Sequence, residues 1–297
     1  MSQRFVSFVA DDFGVNPNRT DGILSVAFRL QHASALMNGR DVARAVNEAR
    51  NVQLPVALHF NITEGKALVG TTIAGNPLVT GDGYFLSKAP CLCVLSAAED
   101  DAQLHRRVEE AVAEQLTMQV AAFRTLAHHQ GPVSLDGHHH VHVLPVVAIA
   151  LAGCATRLGI GRIRTPFDPT LTLPHSLRFE SAQECFGMPF WTRVSALGRT
   201  LQGRLPHLTK SDAFIGFDIM GERFTPTNLL AKLKSLPVEV VHVEVMTHCG
   251  LPCQKSSDDF GDDEFSQDIG RAVELRTLLS STLDAVLREA SFTISPR

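Results

Sequence analysis

The sequence has no excess of basic residues and no block of them. Its 27 Lys and Arg are matched by 31 Asp and Glu, and the formal net charge is −4 at pH 7. Domains that bind nucleic acid through an electrostatic patch are usually basic. We therefore expect no nucleic-acid partner.

Long hydrophobic runs are also missing. A membrane-spanning helix needs about 20 apolar residues, whereas the nearest run, 143–158, is interrupted by Pro145 and Arg157. We interpret that run as a buried helix. The first five residues lead straight into a strand pattern without a signal-peptide cleavage site. We expect no transmembrane segment and a cytoplasmic protein.

Cysteine is too sparse, and too irregularly spaced, to suggest a disulfide framework. The six cysteines include the pairs Cys91–Cys93 and Cys249–Cys253. Neither spacing is that of a common structural zinc site. We expect reduced thiols.

What the sequence does contain is an alternation of short apolar runs and helical patterns. The pattern predicts strands at 5–10, 55–60, 133–135, 162–164 and 238–246, and helices at 21–30, 41–50, 100–127, 227–236 and 268–290. Such alternation predicts parallel strands joined by right-handed crossovers. We predict an α/β fold in a single domain spanning 1–297, with long loops at 65–83, 166–189 and 249–263.

Four of the predicted strands end in acids or histidines. Asp11 and Asp12 follow the first strand, His59 lies in the second, His138 follows the third and His248 follows the last. The carboxyl ends of parallel strands converge on one face of the sheet, where active sites of such folds lie. The sequence therefore predicts that these side chains meet.

Asp12, His59 and His138 together offer two imidazoles and a carboxylate. This set suits a divalent metal with positions left for water and substrate, and Asp11 beside it is a candidate base. Neighbouring strand residues face opposite sides, so the chain must turn within 11–14 for both acids to reach one site. Gly14 makes such a turn plausible.

The run from His138 to His142 contains four histidines within five residues. They cannot all bind one metal, so we expect one of His139, His140 and His142 to contact substrate or a ligand and another to pack in the core. Taken alone, each position has a plainer interpretation, such as a turn, a helix cap or a satisfied core histidine.

Three motifs resemble the YdjC-like carbohydrate deacetylase family. They are Ala-Asp-Asp-Phe-Gly-Val-Asn at 10–16, Leu-His-Phe-Asn-Ile-Thr-Glu-Gly at 58–65 and Leu-Asp-Gly-His-His-His-Val-His at 135–142. The family includes a chitooligosaccharide deacetylase and proteins associated with hopanoid biosynthesis. The segment 244–250 is similar to the family's closing motif, departs from it at Thr247 and Cys249, and keeps His248.

The resemblance implies a distorted (β/α) barrel with its active site at the carboxyl ends of the strands. It implies removal of an N-acetyl group from an amino sugar, with release of acetate, by a hydrolase that uses one divalent metal ion, Zn or Mg. The resemblance implies Asp12, His59 and His138 as metal ligands. It implies Asp11 as general base, His248 as general acid and Arg164 near the substrate. We add Asn61, Glu64 and His140 as predicted substrate contacts.

Other functions remain open at this stage. The same metal ligands would suit a hydrolase of another amide or an ester, and two histidines with one carboxylate also resemble the non-haem iron oxygenase triad. The changes beside His248 leave room for a catalytically altered sugar-binding homologue. Trp191 and Tyr84 are the only Trp and Tyr, which argues against stacking along a long glycan. The identity of the sugar and homo-oligomer formation are left open.

Overall fold

The computed structural model describes residues 3–172, 174, 176–179, 181–205, 207–208, 211–252 and 264–296. Their strands form one sheet in which every pair of strands is parallel. The strands are β1 (Arg4–Phe13), β2 (Leu30–Ala35), β3 (Val56–Phe60), β4 (Val133–Gly137), β5 (Ile160–Ile163), β6 (Ala213–Ile215), β7 (His242–Thr247) and β8 (Phe292–Ile294).

Helices connect successive strands and cover the sheet. They are α1 (Pro17–Ser25), α2 (Val42–Asn51), α3 (Lys88–Ala97), α4 (Ala102–Ala127), α5 (Pro145–Leu158), α6 (Gly187–Arg204), α7 (Pro226–Ser235), α8 (Glu264–Gln267), α9 (Gly270–Leu279) and α10 (Leu283–Glu289). Local sequence fixes several ends. The Asn16 and Asp101 side chains accept hydrogen bonds from the first turns of α1 and α4, and Gly159 ends α5 in the left-handed region.

The sheet curls into a distorted barrel. The strand order is β5-β4-β3-β2-β1-β7-β6, and β8 pairs with the start of β1. The two ends of this order approach each other through the segment after β5, because the Phe214 N–H of β6 donates a hydrogen bond of 2.8 Å to the Phe167 carbonyl. The predicted α/β barrel of parallel strands is confirmed.

Most predicted elements are present, and two helices are wrong in extent. The predicted helix at 21–30 ends at Ser25, because the chain turns through a short 3-10 segment and enters β2 at Leu30. The predicted helix at 268–290 is two helices, because Ser280 takes an extended conformation between α9 and α10. The predicted strand at 238–246 begins only at His242, after a turn in which the Val240 N–H bonds the Pro237 carbonyl.

The buried run at 143–158 is the predicted helix α5, packed against α4 and β5. Of the helices in the described part of the chain, none combines the length and apolar character needed to cross a membrane. Cys91, Cys93, Cys154, Cys185 and Cys249 are free thiols, as predicted. Cys253 and most of the predicted loop at 249–263 lie outside the described residues.

Candidate active site

The residues at the carboxyl ends of β1, β3, β4 and β7 converge on one cavity of about 640 Å³. The strand order places β3, β4, β1 and β7 around the same end of the barrel, and the predicted meeting of these side chains is what the structure shows. The wall includes Asp11, Asp12, His59, Glu64, Lys88, His138, His139, His140 and His248, together with apolar side chains such as Phe186, Phe190, Trp191 and Phe217.

Asp12, His59 and His138 form a compact cluster at the bottom of the cavity. Asp12 Oδ1 lies 2.9 Å from His138 Nδ1 and 3.3 Å from His59 Nε2, and the two imidazole nitrogens are 3.4 Å apart. Two ligands about 2.1 Å from one ion are about 3.0 Å apart at a right angle and about 3.4 Å apart in a tetrahedron. The cluster is therefore able to hold a metal ion.

The surroundings of Asp12 Oδ1 also favour a metal ion in this cluster. Asp12 Oδ1 is buried and accepts no hydrogen bond of good geometry from any described residue. The ring nitrogens of His138 and His59 face this oxygen at 2.9 and 3.3 Å without aligned hydrogen-bond geometry, and a cation between the three groups would satisfy it. The other oxygen of Asp12 is held by the buried Arg19 guanidinium at 3.1 Å.

Each histidine of the cluster is backed by a carboxylate on its outer nitrogen. His59 Nδ1 lies 2.6 Å from Asp136 Oδ1, and His138 Nε2 lies 3.0 Å from Glu64 Oε2. This arrangement fixes which ring nitrogen faces the cluster, as in carboxylate–histidine–metal sites. Burial disfavours the charged rings, but the carboxylates outweigh it and raise the pKa of His59 to about 9 and that of His138 to about 10.

Both acids of the Asp11-Asp12 pair reach the site because the backbone turns at Asp12 itself. Asp12 has φ +62°, in the left-handed region, and the pairing of β1 with β2 shifts register between Ala10 and Phe13. Gly14 follows at φ +83°. The predicted turn within 11–14 is thus confirmed, with part of the strain carried by a non-glycine residue at the site.

Asp11 is the acceptor of a two-pronged ion pair from Arg164. The two terminal nitrogens of Arg164 lie 2.7 Å from the two oxygens of Asp11. The same guanidinium contacts Asp136 at 2.9 Å and Glu244 at 2.5 Å. Burial raises the pKa of Asp11 above its ordinary value in spite of this cation. Asp11 is therefore oriented rigidly and is more basic than an exposed carboxylate.

The segment after β4 makes a tight reversal that spreads its histidines. His139 and His140 have φ of +51° and +53°, so successive rings point in different directions. Gly137 permits the close packing, since an added Cβ would lie 2.6 Å from His142 Nδ1. His139 Nδ1 contacts Thr63 Oγ1 at 2.9 Å.

His140 and His142 differ in exposure to the cavity, although burial lowers the pKa of both. His140 lines the cavity, with its ring against Phe214 and Phe217 and its Nδ1 without a hydrogen bond from any described residue. The His142 ring is wholly buried, and its Nε2 lies 3.0 Å from the Arg164 carbonyl. His142 is thus a packing residue, and His140 is available to a ligand.

His248 closes the other side of the cavity. Its backbone N–H donates to the buried carboxylate of Glu274, and its ring packs edge-on against Phe265. Burial, reinforced by Arg271 and Arg19, lowers the pKa of His248 well below its ordinary value. The ring is therefore neutral at rest, and its Nδ1 has no hydrogen-bond partner among the described residues.

The remaining predicted substrate contacts occupy different places. Glu64 lines the cavity beside His138. The Asn61 side chain bonds the Thr63 N–H and the Glu64 carbonyl, which shapes the loop after β3. Arg164 lies behind the cavity, where its guanidinium forms ion pairs with the three carboxylates of Asp11, Asp136 and Glu244. Their assignment to substrate stays a prediction.

Sequence reasoning missed Asp136 as the partner of His59, Arg19 as the partner of Asp12, and Lys88 in the cavity wall. Asp136 had a signal, because it directly precedes Gly137 and His138 in the histidine motif. Two other groups of metal-ligand type are present among the described residues, Glu64–His138–His139 and Asp11–His59–Asp136. In the second, Arg164 already compensates both carboxylates.

Known proteins resemble this chain over nearly its whole length. The model of a family described as YdjC-like protein matches residues 6–289. A protein of Danio rerio named carbohydrate deacetylase is 30% identical, covering 90% of this chain and 89% of its own. A Homo sapiens protein of the same name is 29% identical, covering 94% and 86%.

A solved structure from Enterococcus faecalis has the same fold. It is provisionally named a cellobiose-phosphate cleavage protein, and it matches with a TM-score of 0.68 at 17% identity, covering 99% of this chain and 97% of its own. At this identity the likeness concerns the fold alone. It agrees with the barrel described above.

Proposed function

Since the chain belongs to the YdjC-like protein family, we propose that it is a metal-dependent hydrolase that removes the N-acetyl group of an amino sugar and releases acetate. The observation that carries the proposal is the triangle of Asp12 Oδ1, His59 Nε2 and His138 Nδ1, with sides of 2.9–3.4 Å. The relatives named carbohydrate deacetylase support the choice of an acetylated sugar.

Zinc and magnesium both agree with the triangle. Imidazole nitrogens suit zinc, and the single carboxylate with open positions also suits magnesium. A bound ion of either kind would polarise the amide carbonyl and acidify a water. Asp12, His59 and His138 would hold it, and Asp136 and Glu64 would orient the two imidazoles.

Asp11 is the proposed general base. It lines the cavity, and although Arg164 occupies one direction on each of its oxygens, each oxygen keeps a further lone pair for a water proton. Its raised pKa makes it a stronger acceptor than an ordinary aspartate. Arg164 stabilises the orientation in which that lone pair faces the cavity.

His248 is the proposed proton donor to the departing nitrogen, because an amide nitrogen leaves poorly without a proton. The ring is neutral at rest, so it can deliver a proton only after receiving one. The proton that Asp11 takes from the attacking water must therefore pass on to His248 before it reaches the departing nitrogen, so that one proton is taken up and one is delivered. Acetate and a free amino sugar are then the products, with one water consumed.

The test is acetate release from N-acetylglucosamine and its short oligomers by the metal-loaded protein. We expect Asp11→Asn to lower the rate at least about 100-fold, the usual range for a lost general base, while metal stoichiometry is unchanged. Asp82→Asn, at an exposed position, is the matched control and should keep full activity. Failure of the metal-loaded wild type to free acetate from a broad panel of N-acetylated sugars would refute the proposed reaction.

A further inference from the structure

Lys88 stands at the first position of α3 and faces the same cavity as the proposed catalytic groups. Its ammonium lies 3.8 Å from the centroid of the Phe190 ring and 4.9 Å from that of Phe186. Both rings belong to the segment that begins α6, and both line the same cavity as Lys88. Lys88 is therefore held by aromatic faces rather than pointing into bulk solvent.

The ammonium has no close counter-ion in the described part of the chain. No described carboxylate forms an ion pair or a side-chain hydrogen bond with its Nζ. Glu64 acts on Lys88 electrostatically from a greater distance, and its oxygens are directed to His138 and His139.

Holding a cation in these surroundings carries a free-energy cost. Burial lowers the pKa of Lys88 to about 8, since the charged form loses hydration beside the rings. An anionic group placed in the cavity would restore the lost interaction as a charge-assisted hydrogen bond. The first turn of α3 contains no acidic residue that would compete for the ammonium.

A purely structural role explains these features less well. Lys66 also lies over an aromatic ring, that of Tyr84, at 5.9 Å, but that ring is exposed and lies outside the cavity wall. An exposed ammonium keeps its hydration and gains from the ring. Lys88 gives up hydration at a position shared with Glu64 and His138, where a ligand can reach it.

We propose that Lys88 is a specificity-determining residue that binds an anionic group of the substrate, phosphate or carboxylate, carried on the amino sugar away from its acetamido group. The inference rests on the proposed deacetylase function and adds the class of sugar. The occupant is an acidic amino sugar rather than a neutral one.

The experiment compares three substrates of the metal-loaded protein: N-acetylglucosamine, N-acetylglucosamine 6-phosphate and N-acetylmuramic acid, whose acidic group is a carboxylate. The readout is kcat/KM for each acidic sugar divided by that for the neutral sugar. We expect Lys88→Met to lower at least one of these ratios about 10-fold or more, and Lys88→Arg to restore it. The sugar whose ratio falls identifies the anion. Lys66→Met is the matched control and should keep the wild-type ratios.

A binding measurement separates this inference from the proposed reaction. Three probes lack the acetyl group and so cannot be turned over: glucosamine, glucosamine 6-phosphate and muramic acid. Their dissociation constants can be measured by calorimetry. Acetate release with the same ratios in wild type and Lys88→Met would overturn the role of Lys88 and leave the reaction standing. No acetate release, but a Lys88-dependent preference for an acidic probe, would support the anion site and refute the reaction.

Discussion

Asp136→Asn tests how far the proposed binding of a metal by Asp12, His59 and His138 depends on a residue outside that set. Asp136 is buried, and its Oδ1 lies 2.6 Å from His59 Nδ1. Its Oδ2 accepts a hydrogen bond of 2.6 Å from Ser34 Oγ and lies 2.9 Å from the Arg164 guanidinium. The asparagine has the same shape but loses the charge that orients His59. Loss of such a partner weakens metal binding 10- to 100-fold, which corresponds to about 1.4–2.8 kcal/mol.

The assay is competition for zinc against a chelator of known affinity, followed by calorimetry with the metal-free protein. Glu244→Gln is the matched control, because Glu244 contacts Arg164 at 2.5 Å in the same buried network but does not contact His59. We expect the control to change zinc affinity by less than about threefold, well below the loss expected for a group that orients a ligand. Equal zinc affinity in wild type and Asp136→Asn, or an equal loss in Glu244→Gln, would show that the Asp136 carboxylate does not orient His59 for the metal.

Three further predictions concern catalysis, folding and pH. Arg164→Lys keeps the positive charge but loses the bidentate contact with the two oxygens of Asp11. Acetate release should therefore fall at least about 10-fold, with metal content unchanged as measured by elemental analysis. Gly14→Ala would place a Cβ 2.6 Å from Val42 Cα, at a residue with φ +83°. The free energy of unfolding, measured in urea, should therefore fall by more than about 2 kcal/mol. Gly75→Ala, at φ +72° with open space around it, should lose less. Burial lowers the pKa of His32 to about 4 from 6.5, so stability should fall as pH drops from about 6.5 towards 4. Between pH 7 and pH 5, His32 alone should lower the free energy of unfolding by about 2 kcal/mol. If a His32→Gln variant loses as much stability over this interval as wild type, the prediction is wrong.

The sequence predicted which end of the barrel holds the candidate site, because acids and histidines follow the ends of four predicted strands. Asp12, His59 and His138 each follow or end a recognisable apolar run, so convergence could be inferred without coordinates. Their partners could not. His59 and Asp136 are register partners across β3 and β4, and Arg164 joins Glu244 over 80 residues of chain. Register and long-range ion pairs depend on tertiary packing, which periodicity does not report.

The missed elements have a similar explanation. β2 contains Gln31, His32 and Ser34, and it forms a strand because it lies between β1 and β3 rather than from its own propensity. β6 has only three residues. α3 was not predicted, so the position of Lys88 at its first turn was not foreseen. The extent of a single domain over 1–297, the cellular location and the substrate-contacting residues stay predictions.

The proposed metal site can be located directly in a crystal grown with zinc, by anomalous scattering at the zinc edge. We expect a single strong peak about 2.1 Å from Asp12 Oδ1, His59 Nε2 and His138 Nδ1. A peak instead between Glu64, His139 and the outer nitrogen of His138 would contradict it, as would the absence of a peak at the three-residue cluster in a fully zinc-loaded sample.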